Sequence, residues 1–139
     1  MISVSNISTA GNLSLYSFTE GAADEGMPNL TSGDENVAIG DEALKANTSG
    51  SNNTAIGDEA LKSNTSGSDN TAIGKNSLYT NTSGSKNVAI GVEALKFNRT
   101  GTNNVAIGFE ALQRNTTGQK NVAIGAQSGY SNTTGVQNT

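Results

Sequence analysis

Paired carboxylates recur along the chain and are the first residues whose spacing could support catalysis. The pairs are Asp24-Glu25, Asp34-Glu35, Asp41-Glu42 and Asp58-Glu59. Glycoside hydrolysis needs two carboxyl groups about 5–9.5 Å apart across a cleft, whereas neighbours on an extended strand point to opposite faces. The equivalent positions later in the chain are Lys75-Asn76 and Val92-Glu93. We therefore interpret the pairs as solvated surface residues and expect no catalytic residues and no enzyme.

The composition argues against several other kinds of site. The chain has no cysteine and no histidine, so it lacks the usual zinc ligands, a thiol nucleophile and a histidine base. The glycine-rich nonapeptide of calcium-binding β-rolls is absent, and the aspartates are not periodic. We expect no metal site and no cofactor.

Charge and hydropathy argue against two classes of partner. The 139 residues include 8 basic and 12 acidic side chains, for a net charge of −4, and seven of the acidic residues precede the first base, Lys45. This balance does not favour nucleic-acid binding. No stretch approaches the roughly 20 apolar residues of a membrane span, and the N-terminus lacks the basic start and apolar run of a secretory signal. We expect neither membrane insertion nor export by that route.

The dominant feature of the sequence is a 17-residue repeat. Six copies of the phrase that begins Asn36-Val37-Ala38-Ile39-Gly40 fill residues 36–137. The alanine and the isoleucine of the phrase occur in all six copies. Self-similarity of this kind marks a solenoid, and the period is too short for a helical hairpin or a propeller blade, whose repeats begin at about 33 residues.

The period predicts an all-β, parallel β-solenoid with 17 residues per coil. In the first segment of each copy, alternation places Val37 and Ile39 on one face and Ala38 on the other. Because the isoleucine column accepts no other residue, we predict that it faces the interior together with the leucine column. The predicted core columns are Ile39, Ile56, Ile73, Ile90, Ile107, Ile124, Leu44, Leu61, Leu78, Leu95 and Leu112.

The second half of each copy has two interpretations. Asp41–Lys45 fits either a single helical turn or a bent strand, and we favour the strand because both walls of a stacked coil must hydrogen-bond between coils. Turn residues follow, with asparagine and glycine expected at positive φ. The turn columns begin with Gly40, Asn47, Gly50, Gly57, Asn64 and Gly67. Stacking would also align the asparagines of the Asn47 column as an amide ladder.

These patterns divide the chain into three parts. Residues 1–35 form an acidic docking arm with two short strands and a degenerate capping coil in which Met27 takes the leucine position and Pro28 interrupts the ladder. Residues 36–137 are the six-copy repeat domain, and residues 138–139 begin a seventh coil that is truncated or capped by a partner. Each coil contains few large apolar side chains, so we predict an obligate oligomer that shares its core.

The repeated phrase Asn-Val-Ala-Ile-Gly, followed by Ala or Ser and later by Thr-Ser-Gly, resembles the head repeats of trimeric autotransporter adhesins. The resemblance covers residues 36–137, although the repeat is a few residues longer than is usual there, with the surplus in Leu44–Asn47. The 17-residue variant is similar to repeats in phage tail-fibre and virion-surface proteins. The resemblance implies a left-handed β-roll, a homotrimer and a role in attachment or surface structure.

The expected function is therefore that of a virion structural protein, either a trimeric phage fibre or a capsid-decoration protein. Its β-roll would project from the virion surface to attach to a host receptor or to stabilise the particle. Residues 1–35 would bind a capsid or tail protein. One alternative is the head of a bacterial trimeric adhesin, located on the cell surface.

Three surface patterns carry further hypotheses. Threonines at Thr48 and most equivalent positions could match an ice lattice, but Arg99 interrupts the column, and we favour hydrogen-bonded turn residues. The Asn-x-Ser/Thr sequons of the Asn47 column are interpreted as turns in the same way. Columns that vary between copies are candidates for receptor contact, or alternatively for filling an inter-chain seam. Their candidate residues are Tyr79, Phe97, Phe109, Arg114 and Tyr130.

Overall fold

The fold is a stack of coils that share one β-sheet. A computed structural model describes residues 4–7, 11, 13–15, 29 and 32–139. Eight strands lie in chain order in a single sheet, and the described residues contain no helix. The strands are β1 (Val4–Ile7), β2 (Leu13–Leu15), β3 (Val37–Ile39), β4 (Thr54–Ile56), β5 (Thr71–Ile73), β6 (Val88–Ile90), β7 (Val105–Ile107) and β8 (Val122–Ile124).

The 17-residue period predicted from the sequence is confirmed by the strand register. Strands β3 to β8 are parallel, and each residue pairs with the residue 17 positions later, as Ala38 does with Ala55. The ladder is continuous through hydrogen bonds such as Val37 N–H to the Asn53 carbonyl at 2.8 Å. The chain is therefore an all-β parallel β-solenoid with one short strand per coil.

The prediction for the isoleucine column is wrong, whereas that for the leucine column is confirmed. The buried apolar side chains are the alanines of the strands, the alanines of the Ala43 column and Leu44, Leu61, Leu78 and Leu95, with Leu112 at 2% exposure. The isoleucines lie on the opposite, outward face of the sheet, where Ile90 is 36% exposed and Ile124 is 67% exposed. The interior of a 17-residue coil is narrow, so the strand directs its smallest side chain inward and its two larger ones outward. The six isoleucines corrected in this way are Ile39, Ile56, Ile73, Ile90, Ile107 and Ile124.

The strand predicted at Asp41–Lys45 is also not observed, and residues 41–46 form consecutive turns instead. Glu42 and Leu44 have positive φ values of 53° and 54°, which non-glycine residues seldom adopt. Alternate amides close local turns, as Ala43 N–H does to the Gly40 carbonyl at 3.3 Å. The amides between them bond to neighbouring coils, as Leu44 N–H does to the Ala60 carbonyl at 3.0 Å. The turn wall thus hydrogen-bonds between coils without being extended.

Glycines at two columns permit this close stacking for different reasons. Gly40 has φ = 129°, which confirms the positive φ expected for this column, and a Cβ there would lie 2.6 Å from the Gly57 carbonyl oxygen. Gly50 does not have positive φ, and neither does Asn47, so the backbone conformation predicted for this turn is wrong. Gly50 is needed because a Cβ would collide with the carbonyl oxygen of Gly67 in the next coil.

The N-terminal strands join the same sheet. Strand β2 pairs in parallel with β3, and β1 pairs antiparallel with β2, which confirms the two short strands expected in this region. The Ser32 amide donates to the Thr48 carbonyl at 3.1 Å, and the Asn52 amide donates to the Asp34 carbonyl at 2.9 Å, so residues just before the repeat stack on its first coil. Met27 and Pro28 of the predicted capping coil, and most of the docking arm, lie outside the described residues.

Candidate functional site

Two ladders of buried asparagine side chains run through the interior of the stack. In the Asn47 column, the Asn64 amide nitrogen donates to Asn47 Oδ1 and to the Gly67 carbonyl, each at 2.9 Å. This confirms the predicted amide ladder. It also gives the sequons a structural role, because asparagines 47 to 115 of this column are fully buried and their amide nitrogens act as donors in these bonds.

A second ladder, in the Asn36 column, was not predicted. The Asn53 amide nitrogen donates to Asn36 Oδ1 at 3.1 Å and to the Gly67 carbonyl at 2.8 Å, and the Asn53 main-chain N–H also donates to Asn36 Oδ1. The invariance of asparagine at the start of all six copies was the signal that could have revealed it. The two ladders meet at the carbonyl of the same glycine and fill the end of the coil that alanine and leucine do not occupy.

The outward face of the sheet forms an aliphatic stripe, which we define as the Val37 and Ile39 columns of strands β3 to β8. Thr54 and Thr71 are its only polar members. Most of its side chains are half-buried because same-face neighbours on adjacent coils cover one another. Val92 and Phe109 follow the ends of β6 and β7 by two residues and are 44% and 50% exposed, so exposed apolar residues also occur where the turn wall begins.

The turn wall carries an ion-pair ladder in its first coils. Glu42 pairs with both Lys45 and Lys62, and Lys62 also reaches Glu59 at 2.6 Å. Hydrogen bonds from Lys45, which has the larger effect, and from Lys62 lower the pKa of Glu42. The two glutamates in turn raise the pKa of Lys62. These carboxylates of the Asp-Glu pairs are therefore held by lysines rather than facing each other across a cleft.

Further along the wall, the ladder gives way to aromatic rings with cations beside them. Lys62 Nζ lies 5.5 Å from the Tyr79 ring centre, Lys96 Nζ lies 5.5 Å from the Phe97 ring, and the Arg114 guanidinium lies 5.8 Å from the Tyr130 ring. These are cation–π distances. We define the aromatic strip as Tyr79, Lys96, Phe97, Arg114 and Tyr130.

The structure thus separates the candidate receptor-contact residues into two places. Tyr79, Phe97, Arg114 and Tyr130 share the aromatic strip, and Phe97 is 41% exposed there. Phe109 lies in the turn wall two residues beyond Ile107 of the aliphatic stripe, and no cation–ring contact is found for it in the described part of the chain. Their role as contacts remains a prediction.

Threonines of the Thr48 column act as turn residues. Thr48 Oγ1 donates to the Thr65 carbonyl at 2.9 Å, Thr65 Oγ1 to the Thr82 carbonyl at 3.0 Å, and Thr116 Oγ1 to the Thr133 carbonyl at 3.0 Å. Each hydroxyl proton therefore links two coils, in agreement with the favoured interpretation of this column.

The last coil ends in a cavity of about 260 Å³ lined by Leu112, Ala123, Gly129, Asn132 and other residues. Gly129 occupies the leucine position of the sixth copy. Within the described residues, no group of three or more acidic side chains is arranged to hold a metal ion, and no helix has the length and hydropathy to cross a membrane.

Comparison with known proteins adds no relative to this description. No family model, no curated protein and no solved structure matches the chain.

Proposed function

We propose that the chain is a non-enzymatic structural and binding protein of a virion surface, in which three copies pack their aliphatic stripes around a common axis. The rod formed in this way would project from the particle and attach to a host surface. The observation that carries the proposal is the aliphatic stripe itself. It is continuous over six coils, and its isoleucines are outward-facing in the single chain.

The internal repeats supply the physical argument for a shared interface. An outward position that faced only water would be free to vary, as the Asp41 column varies among acidic, basic and apolar residues in successive coils. The isoleucine column does not vary in six copies, although isoleucine is not needed to fill the coil interior. Contiguous exposed apolar patches mark interaction sites. In the isolated chain no second apolar surface packs against the described part of the stripe.

Identical copies are the occupants that this geometry favours. A stripe of this regularity can match itself coil by coil, because isoleucine, with valine or threonine beside it, recurs at each step of about 4.8 Å. A closed cyclic arrangement would bury all stripes at once. The trimeric number and the virion setting rest on the resemblance of the 17-residue phrase to phage tail-fibre and virion-surface repeats.

Light scattering on the purified chain tests the proposal. We expect a native mass near three times 14.1 kDa, stable on dilution, because the stripe would otherwise face water. A stable monomer with the circular dichroism of a β-solenoid would overturn the trimer and remove the main support for the virion rod.

A further inference from the structure

We propose that the aromatic strip of the turn wall binds an extended carbohydrate chain. This inference rests on the proposed attachment function and names the chemical class of the surface to which the rod would bind. Its starting point is the position of the strip on the turn wall, away from the aliphatic stripe on the outer face of the sheet.

The rings of the strip form a row along the rod. Tyr79, Phe97 and Tyr130 belong to the third, fourth and sixth coils, and they occupy two neighbouring positions of the 17-residue repeat. Successive coils are about 4.8 Å apart, a rise comparable to the length of one hexose unit. Tyr79 and Phe97 are one coil apart and Phe97 and Tyr130 are two coils apart, so the row spans roughly 14 Å. A row of this length suits a polymer lying parallel to the rod axis better than a compact small molecule.

Polar groups beside the rings are already held in place. Glu93 accepts from Lys96 Nζ at 2.8 Å through one oxygen and from the Gln113 amide at 2.7 Å through the other. In the next coils, Glu110 accepts from the Gln127 amide at 2.8 Å. Carboxylates and amides that need no reordering lose less entropy when a ligand binds. Gln113 is only 5% exposed and serves to hold Glu93 in place. The Glu110–Gln127 pair is exposed, and its planar carboxylate and amide match the hydroxyls of a sugar, which donate and accept at once.

The arrangement fits sugar better than other polymers. A pyranose ring has an apolar C–H face that can cover an aromatic ring and a rim of hydroxyls that can reach the polar groups. Lys62 and Lys96 are neutralised by Glu42, Glu59 and Glu93, so the strip offers little excess positive charge to a nucleic acid. Among the described ion pairs none involves Arg114, which leaves its guanidinium available to ligand oxygens.

Binding of the whole chain to a printed array of bacterial and animal oligosaccharides tests the inference. We expect retention on a structurally related set of glycans. Phe97→Ser combined with Arg114→Ser should weaken binding to that set by about tenfold or more, because aromatic and arginine anchors dominate binding surfaces. The matched control is Arg99→Ser, which removes another exposed arginine from a different column and should leave retention unchanged.

Light scattering on the same samples separates the two proposals. A trimer that retains no glycan, or whose retention is unaffected by the double variant, overturns the carbohydrate site and leaves the assembly standing. A monomer that binds glycans through the strip overturns the assembly and supports the site. Retention on an array of peptides, lost in the double variant, would replace carbohydrate by protein as the partner.

Discussion

Each buried asparagine of the two ladders satisfies main-chain and side-chain groups that would otherwise be stranded away from water. Asn64 is an example, because its nitrogen donates to Asn47 Oδ1 and the Gly67 carbonyl, and its Oδ1 accepts from the Asn81 amide nitrogen at 2.9 Å. An unpaired buried polar atom costs about 1–3 kcal/mol. The amides are thus structural elements of the stack and not merely tolerated in its interior.

Asn64→Ala should lower the free energy of unfolding by about 3 kcal/mol or more, since it leaves Asn47 Oδ1 and one Asn81 N–H unpaired. Urea unfolding followed by circular dichroism measures the effect. Ser66→Ala, at an exposed position two residues away, should change the free energy by less than about 0.5 kcal/mol. Equal effects of the two substitutions would mean that the ladder is not a source of stability.

At the same scale, the choice of face shows how far residue type can predict position. Alternation in Val37–Ile39 correctly separates two faces, but hydrophobicity suggests the wrong one as the interior. The better signal was size, because the alanine column contains no larger side chain in six copies, as a sterically closed interior requires. The isoleucines lie on the outward face and do not fill the coil interior, so the packing of a single chain does not require them.

The turn wall is the element whose conformation the sequence did not reveal. The turn wall does form hydrogen bonds between coils, as expected from the sequence. It forms them with Glu42 and Leu44 at positive φ and not as an extended strand. Neither residue type signals that conformation, because such values are uncommon outside glycine and asparagine. The leucine column was predictable because leucine recurs in five of the six copies. Its side chain is buried whether the wall is a strand or a series of turns.

Charge on this element makes stability depend on pH. The pKa of Glu42 is lowered in the folded chain by its hydrogen bonds to Lys45 and Lys62. A lowered folded-state pKa stabilises the fold above the unfolded-state pKa and loses that contribution as the pH falls through the folded value. Glu42→Gln should therefore reduce the free energy of unfolding at pH 7 by up to about 1 kcal/mol, with a difference that disappears in acid.

Urea unfolding of wild type and Glu42→Gln from neutral to acidic pH measures this difference. In a Lys45→Met/Lys62→Met background, the same exchange should have little effect at any pH, because the cause of the lowered pKa has been removed. A difference that persists unchanged into acid would show that Glu42 acts through packing and not through its charge.

For the whole molecule, the period allowed the architecture to be predicted, and the proposed assembly depends on the outward face of the sheet. Strand register, coil length and coil count all follow from the repeat in residues 36–137. A charge placed on the outward face should separate folding from assembly, since that face does not contribute to the coil interior.

Ile90→Asp should give a folded monomer, because in the proposed trimer three carboxylates would meet near the common axis and an unpaired buried charge is costly. Light scattering should report the mass of one chain while circular dichroism stays unchanged. Ser83→Asp, which introduces the same charge at an exposed corner, should leave the native mass unaltered. An Ile90→Asp variant that keeps the wild-type mass would place the interface elsewhere.

Nearly all main-chain hydrogen bonds between coils join residues 16 to 18 positions apart, and both ladders advance by 17. A duplication or deletion of 17 residues therefore restores every column, whereas any other length displaces all of them at once. Genetic change can lengthen or shorten the molecule only in whole steps of about 4.8 Å. The length of the rod can therefore change in fixed steps while the residues at its two ends stay the same.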